Sequence, residues 1–460
     1  MASIPFALER IKHNPLDVLD RDTVERVCRE HGHAWRDREL DPATTVALFV
    51  QQVAHGNCPC TEVRHLAPGH TFTAQAYCEA RHRLPRIVYQ DLLSEVIEAA
   101  MPQSRRGELL WYGHRTFHVD GSTFSMPDTP ELQKAFGMPS GQKEGCGFPV
   151  AHLLVLFSAS TGLLVDAWAS PLRTGDMAQV PEAHLHLDEG DILLGDDSFS
   201  GYVDLAMLKM QGLHGIFPAH HARIVDFKKG RPHTSEDNPE PGLPRSRWIK
   251  SLGKEDQLVE YFKPKTRPLW MSKEQWDQLP DSIEVRELRR TVCRPGLGHA
   301  TLALVTTLTD PKKYPAQDLM ELRLRRWDVE TCIGHLKTTM GLDVLHCKSE
   351  EGVRKELAVF CLVYNLVRLV MLEASRRQEV AVSRISFADV LHWMRHARRD
   401  DVLPKFVVNP RRPDRIEPRC RKRRPKKYTL MNKPRDLLRK EIQKKHKANS
   451  AGKPRKERLS

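Results

Sequence analysis

Three acidic residues that lie far apart in the sequence occupy positions from which their side chains can meet. Asp120 ends a segment of alternating residues that predicts a strand followed by a turn at Gly121-Ser122. Asp196 ends a short apolar segment that predicts a buried strand, and Glu330 lies inside a predicted helix. Carboxylates at the ends of adjacent strands lie at one edge of a sheet, and a helix packed there can bring a third. The sequence therefore predicts a site built from these three acids.

Such a site calls for bound cations. Carboxylates a few ångströms apart repel one another strongly unless positive charge lies between them. Oxygen-only ligands suit Mg²⁺ or Mn²⁺, and two such ions held about 3.5–4 Å apart form an arrangement that cleaves phosphodiesters. The alternative is that each acid only forms a turn or caps a helix, and for a single acid this is the simpler interpretation. We expect two Mg²⁺ or Mn²⁺ ions if the three acids meet.

The residues around Glu330 add cations to the acid. Periodicity predicts one helix from Pro315 to Met340. At 100° per residue, four of its residues fall within an arc of about 60°: Arg323, Arg326, Glu330 and Lys337. An apolar stripe lies beside them: Leu322, Val329, Ile333, Leu336 and Met340. Arginine and lysine grip phosphate oxygens, so the helix can present an acid flanked by phosphate-binding groups. A solvated face with an i,i+4 pair between Arg326 and Glu330 explains the spacing equally well.

The residue pattern divides the chain into five segments. Residues 1–108 are predicted to be helical, 109–221 contain strands and short helices, and 222–298 are rich in Pro, Gly and Lys with short strands. Residues 299–400 begin with a strand and continue as helices, and 401–460 form a basic, largely disordered tail. Strands followed by helices that pack on them predict an α/β fold with a mixed sheet.

The net charge of +13 is concentrated in the tail. From Asn409 to Ser460 there are 21 Lys and Arg against 5 Asp and Glu, so the rest of the chain is close to neutral. A cationic extension on a nearly neutral body indicates a polyanionic partner, most simply nucleic acid. Charged residues soon after Met1 interrupt any signal peptide. The apolar segment Pro149–Ala169 is better explained as two strands than as a membrane span, and the cysteines lack the spacing of a disulfide framework. We expect a soluble intracellular protein.

The motifs around these acids resemble those of one family, the DDE transposases of bacterial insertion sequences in the group named after the fourth insertion sequence. Arg326-x3-Glu330-x6-Lys337 resembles its signature Tyr-x2-Arg-x3-Glu-x6-Lys, with Arg323 at the tyrosine position. Asp120-Gly121-Ser122-Thr123 resembles the first-aspartate motif. Asp196-Asp197-Ser198-Phe199 resembles the motif Asp-Arg-Gly-Phe/Tyr, in which the phenylalanine favours Asp196 over Asp197. The resemblance extends over about residues 110–375.

The resemblance implies an RNase H-like catalytic core, in 109–221 and 299–400, interrupted by the β-rich insertion 222–298. It implies Asp120, Asp196 and Glu330 as catalytic metal ligands, and Arg326 and Lys337 as DNA-backbone ligands. Arg323 can itself take a phosphate at the position of the missing tyrosine. The substrates implied are double-stranded DNA with terminal inverted repeats and a target DNA, bound by a homodimer in the bacterial cytoplasm at the nucleoid, without a membrane. Residues 1–108 would bind the DNA ends.

Other interpretations stay open from sequence alone. A transposase-derived protein that binds DNA without cleaving it keeps the same motifs, and a nuclease that cuts without joining is disfavoured by the large insertion. His335 is close enough to Lys337 to approach the site, whereas His118 and His152 are expected in the core. Three tryptophans of the insertion can stack on a base, although core roles are favoured: Trp248, Trp270 and Trp276. A loop suggests zinc, but its Cys-x-Cys spacing favours a structural role: His55, Cys58, Cys60, His65 and His70.

Overall fold

A nine-stranded sheet with helices on both faces organises the chain. The computed structural model describes residues 19–66, 69–100, 110–140, 145–235, 240–294, 298–325, 327–396, 403–406 and 433–451. The strands are β1 (Thr116–Ser125), β2 (Val150–Ser158), β3 (Leu164–Pro171), β4 (Ile192–Leu194), β5 (His214–Pro218), β6 (Arg247–Gly253), β7 (Asp256–Phe262), β8 (Ser282–Arg294) and β9 (Gly298–Thr306).

The helices that precede and flank the sheet are α1 (Arg21–Glu30), α2 (Pro42–Ala54), α3 (Cys60–Val63), α4 (Ala74–Arg83), α5 (Arg86–Ala100), α6 (Pro130–Phe136), α7 (Asp176–His184), α8 (Tyr202–Met210), α9 (Lys273–Gln278), α10 (Ala316–Leu324), α11 (Trp327–Gly334), α12 (Glu350–Gln378), α13 (Phe387–His396) and α14 (Arg435–Ala451). A π-helix, His335–Thr339, follows α11, and a 3₁₀-helix, Asp197–Ser200, follows β4. The helical prediction for the N-terminal segment is confirmed over its described part. Asp20 and Asp41 begin α1 and α2 by accepting backbone N–H groups at 2.8 Å.

The strand order is β3-β2-β1-β4-β5-β9-β8-β7-β6. Within its first five strands β1 is parallel to β4, β4 is parallel to β5, and β2 is antiparallel to both of its neighbours. This is the arrangement of an RNase H-like core, so the predicted fold class is confirmed. Strands β6 to β8, from the predicted insertion, continue the same sheet through β9, which pairs antiparallel with β5.

Apolar side chains of adjacent strand residues supply the cores on opposite faces of the sheet, as strand alternation requires. Val155 joins the core that α1, α2, α5, α11, α12 and α13 share, and its neighbour Leu154 joins the core beneath α7 and α8. Helix α12 runs through the larger core and is the one helix, among the described residues, long and apolar enough to cross a membrane. Its most apolar 18-residue window is 89% buried inside the protein, as expected for a core helix.

The predicted turn at Gly121-Ser122 is wrong. Strand β1 continues to Ser125 because β2 pairs with it along this whole length, with Gly121 opposite Leu154. The composition of Asp120-Gly121-Ser122 favours a turn locally, but pairing with β2 outweighs it. On its other side β1 pairs with β4 only as far as His118, so Asp120 lies where β1 extends past β4.

The single helix predicted over 315–340 is also wrong. The segment forms α10, then α11, then the π-helix, because its apolar residues pack into two different cores. Met320 of α10 lies in the core against β4, β5, β8 and β9, whereas Val329 of α11 lies in the core against β1 and β2. Arg323, Glu330 and Lys337 therefore belong to three separate helical elements rather than to one 60° arc.

Part of the basic tail is folded, so the prediction of disorder is wrong for residues 433–451. Helix α14 begins at Arg435, whose guanidinium pairs with Asp128 at 2.5 Å and lies over the Phe148 ring at 4.0 Å. The tail residues 401–402, 407–432 and 452–460 lie outside the described part of the chain. The five-segment division stays a prediction.

Candidate active site

Strand register places Asp120 beside Asp196. The parallel pairs between β1 and β4 run from Thr116–Ile192 to His118–Leu194, and the same offset two residues further on brings Asp120 opposite Asp196. Asp196 keeps an extended backbone, with φ −81° and ψ −172°, so the strand geometry continues to it. Because two residues along a strand return to the same face, both carboxylates lie on the face of Leu194. The strand register thus supports neighbouring positions for two of the three predicted acids.

The carboxylate of Asp196 is oriented by the 3₁₀-helix that it caps. Its Oδ1 atom accepts the Ser198 backbone N–H at 2.9 Å and the Ser198 hydroxyl at 2.5 Å. The buried ring of Phe199 packs on Gly195, where a Cβ atom would come within 2.6 Å of the ring. The spacing from Asp196 to Phe199 therefore has a structural basis: the ring anchors the turn that presents the acid, and Ser198 adds a hydroxyl donor.

Glu330 is exposed on α11, a helix that packs on β1 through the buried residues Val329 and Cys332. The end of the following π-helix is attached to β1, since Lys337 Nζ donates to Ser122 Oγ at 3.0 Å. Ser122 is two residues from Asp120 and shares its face. The glutamate helix and both aspartates therefore lie on the same face of the sheet.

Two further contacts fix this end of the helix. Lys337 Nζ forms an ion pair with Asp343 Oδ1 at 3.3 Å. Beyond it, the backbone of Ser125 exchanges hydrogen bonds with the chain that leaves the π-helix, donating to Asp343 and accepting from Leu345. The position of α11 over β1 is thus held from its C-terminal side.

The structure describes only one of the other two predicted cations. Arg323 is half-buried in the last turn of α10 and therefore belongs to the segment over the second core. Arg326 lies outside the described residues. Lys337, through its hydrogen bond to Ser122, is a predicted DNA-binding cation for which the described residues show a contact with β1.

His335 is a core residue and does not approach the acids. Its ring stacks on Phe387 with 4.3 Å between ring centroids. Burial, followed by the nearby charge of Arg368, lowers the pKa of His335 to about 4, so the ring is neutral at physiological pH. His118 is buried on β1, as expected from sequence.

Structural roles are supported for two of the tryptophans and for one cysteine of the His/Cys loop. Trp270 and Trp276 pack against the apolar core under α7 and α8. The half-buried guanidinium of Arg81 lies 3.6 Å from Cys60 Sγ and 3.0 Å from Cys347 Sγ, and a cation at that place disfavours a zinc ion.

On the opposite face of β1 an ion pair covers Gly121, and sequence reasoning missed it. A Cβ atom on Gly121 would lie 2.2 Å from Oδ1 of Asp176, the first residue of α7. His152 of β2 holds Asp176 through its Nε2 at 2.7 Å and Gln179 through its Nδ1 at 2.9 Å. The hydrogen bond to Asp176 raises the pKa of His152, against the opposing effect of burial. No spacing signal in the sequence links these residues.

A second group that sequence reasoning missed is Asp197, His220 and His221. Potential metal-ligand atoms of these three residues all lie within 4.8 Å of one another. The adjacent histidines directly after a strand, together with the second acid of Asp196-Asp197, were the available signal.

Comparison with known proteins identifies the class. A family model described as the transposase DDE domain matches residues 111–366, more than half of the chain, and the chain belongs to this family. The resemblance expected from the Asp120, Asp196 and Glu330 motifs is thereby confirmed, and the protein is a transposase of the DDE class.

Individual transposases are similar to this chain. The chain is 25% identical over 448 residues to the transposase InsG for insertion sequence element IS4 of Escherichia coli K12, with 90% of this chain and 94% of that protein covered. It is 28% identical over 112 residues to the putative transposase InsZ of the same organism, which covers 24% of this chain and 38% of that one. A solved structure, the piggyBac transposase synaptic complex with hairpin DNA, is similar with a TM-score of 0.41 and 9% identity, covering 86% of this chain and 80% of that chain.

Proposed function

We propose that this transposase uses divalent metal ions to cleave DNA at the ends of an insertion sequence and then joins the freed 3′-hydroxyl to target DNA. The observation that carries the proposal is the register of β1 and β4. Continued past its last pair, this register points Asp120 and Asp196 toward each other on the face of the sheet where the helix of Glu330 contacts β1. It supports the proposal that the three acids act together.

Asp120, Asp196 and Glu330 are the residues that would hold two Mg²⁺ or Mn²⁺ ions. Their donor atoms are all carboxylate oxygens, which these hard cations prefer. The ions, when bound, supply activation of the attacking water or 3′-hydroxyl and stabilisation of the leaving oxygen. The protein's own contribution is to fix its carboxylates, through the cap on Asp196 and the attachment of the helix end to β1.

Lys337 is the best-supported DNA ligand in the described chain. Its ammonium already lies on the face of Asp120, bonded to Ser122 and paired with the half-exposed Asp343. A backbone phosphate can replace Asp343 as the anionic partner while the Ser122 hydrogen bond keeps the lysine in place. Arg326 and Arg323 are proposed as further phosphate ligands from the family signature.

The partners proposed are the terminal inverted repeats of the element and a target DNA, bridged by a homodimer at the bacterial nucleoid. The N-terminal helices would contact the ends, and the basic tail would bind phosphates without reading sequence. Binding through the tail then weakens steeply with salt, because each phosphate contact releases counterions.

A cleavage assay tests the proposal. The full-length protein and Glu330→Gln are incubated with end DNA, taken from the inverted repeats that flank the gene, in the presence of Mg²⁺. We expect the wild type to nick this DNA and Glu330→Gln to bind it with unchanged affinity but lose nicking. The matched control is Glu321→Gln, an exposed acid on α10 that accepts a hydrogen bond from Gln317 at 3.0 Å. Equal nicking by wild type and Glu330→Gln removes Glu330 from the mechanism, and binding without nicking by both favours a non-cleaving DNA-binding protein.

A further inference from the structure

Asp197, His220 and His221 lie at the same edge of the sheet as Asp196 but form a separate group. Asp197 begins the 3₁₀-helix after β4, and the two histidines follow the end of β5 at Pro218. Because β4 and β5 are parallel neighbours, the loops that follow them leave the sheet at one edge. The ligand-capable atoms of the three residues come within 4.8 Å of one another.

Hydrogen bonds hold the two loops together before any ligand binds. Asp197 Oδ2 accepts the backbone N–H of His221 at 3.4 Å and lies 3.2 Å from its Nδ1. The backbone N–H of His220 donates to Ser200 Oγ at 3.1 Å, and this hydroxyl donates to the carbonyl of Asp197 at 2.8 Å. These bonds reduce the conformational entropy that ligand binding must overcome.

The two imidazole rings are close and accessible. Their centroids are 4.1 Å apart, with the rings tilted by 33°. His220 Nδ1 accepts the Ala222 backbone N–H at 3.2 Å, which orients its ring, and a ligand on Nδ1 would replace this hydrogen bond. The side chain of His221 is 80% exposed and that of Asp197 38% exposed, so an ion can enter from solvent and keep water in its remaining coordination positions.

The donor set selects the kind of ion. Two imidazoles and one carboxylate suit Zn²⁺ and related ions such as Co²⁺ and Ni²⁺, whereas Mg²⁺ and Mn²⁺ prefer oxygen donors. We propose that Asp197, His220 and His221 form a binding site for a transition-metal ion of the Zn²⁺ type, separate from the all-oxygen group of Asp120, Asp196 and Glu330. The proposal does not depend on the transposition chemistry, because it concerns binding to this chain's own residues.

Metal binding to the full-length, metal-stripped protein tests the site without any activity measurement. Zn²⁺ affinity is measured by calorimetry, and Co²⁺ loading by visible absorption. We expect one site whose affinity falls by at least about tenfold in His221→Ala, and again in Asp197→Asn, because each removes a ligand. Circular dichroism establishes that each variant is folded.

Two matched controls keep the result interpretable. His186 also pairs with an aspartate, Asp166, at 3.2 Å, but it belongs to no such three-residue group in the described chain, so His186→Ala keeps the site. Asp120→Asn should also keep this Zn²⁺ site, because Asp120 belongs to the separate all-oxygen group. Zn²⁺ binding of unchanged affinity and stoichiometry in the double variant of His220→Ala with His221→Ala overturns the proposal, and so does loss of the site in Asp120→Asn.

Discussion

Asp120 and Gly121 are consecutive residues of β1 and face opposite sides of the sheet. The acids found on the two sides have different surroundings. On one face Asp120 is half-buried, the strand register points it toward Asp196, and the helix that carries the exposed Glu330 packs on this strand. On the other face Asp176 fills the space above Gly121 and is paired with His152. An acid that is held by a side chain of the neighbouring strand supports the fold, whereas acids that gather from separate elements can hold ions and substrate.

The contrast also explains the glycine of Asp120-Gly121-Ser122. It is needed because the carboxylate of Asp176 occupies the place of a side chain, not because the chain turns there. A single strand therefore supplies an acid to one face and a flat surface to the other.

Replacing the acid on each face in turn gives the largest expected difference in nicking rate. Asp120→Asn should lower the rate of DNA nicking by about 10³-fold or more, since it removes a proposed metal ligand. Asp176→Asn should change nicking by less than about tenfold and instead lower the thermal midpoint, because it removes the carboxylate that lies 2.7 Å from His152 Nε2. Nicking rates and circular-dichroism melts of both variants check this. A larger nicking defect in Asp176→Asn than in Asp120→Asn contradicts the assignment of the faces.

Gly121→Ala sharpens the comparison by adding one methyl group to the face of β1 that Asp176 covers. The new Cβ would lie 2.2 Å from Asp176 Oδ1, so we expect a loss of about 1–3 kcal/mol in the free energy of unfolding. Gly175→Ala is the matched control, because a Cβ there has no neighbour within 4 Å. Urea denaturation gives both values. In a double-mutant cycle Asp176→Ala should relieve part of the Gly121→Ala cost; strict additivity of the two substitutions contradicts the steric explanation.

The stability of the protein should also depend on pH through α7, the helix that carries Asp176. His184 of α7 is buried, and burial lowers its pKa to about 4 from an ordinary 6.5. Below pH 6.5 the unfolded chain takes up a proton that the folded protein does not, so stability is complete above this pH and is lost as the pH falls toward 4. At pH 5 the expected loss from this group is about 2 kcal/mol relative to pH 7.5.

His184→Leu checks this prediction, because neither ring nitrogen of His184 has a hydrogen-bond partner among the described residues. The free energy of unfolding of wild type and variant is measured at pH 7.5 and pH 5. The variant should lose less stability on acidification, and an identical pH dependence of the two proteins means that folding does not lower the pKa of His184.

Local pattern determined much of this protein from the sequence alone. The apolar runs that form β2 and β3, the period of α5 and α12, and the acids Asp120, Asp196 and Glu330 can all be identified there. These features depend on residues close together in the chain, whose periodicity reports burial directly. The motif spacing around Glu330 was equally sufficient to indicate the transposase family.

Only the tertiary structure decided how those elements continue and meet. Whether Gly121 turns or extends depends on β2 lying beside it, and whether 315–340 forms one helix depends on two separate cores competing for its apolar residues. The ion pair under β1 and the group of Asp197, His220 and His221 likewise arise from chain segments far apart in sequence. Such contacts leave no periodic signal, because their energy comes from partners that sequence spacing does not identify.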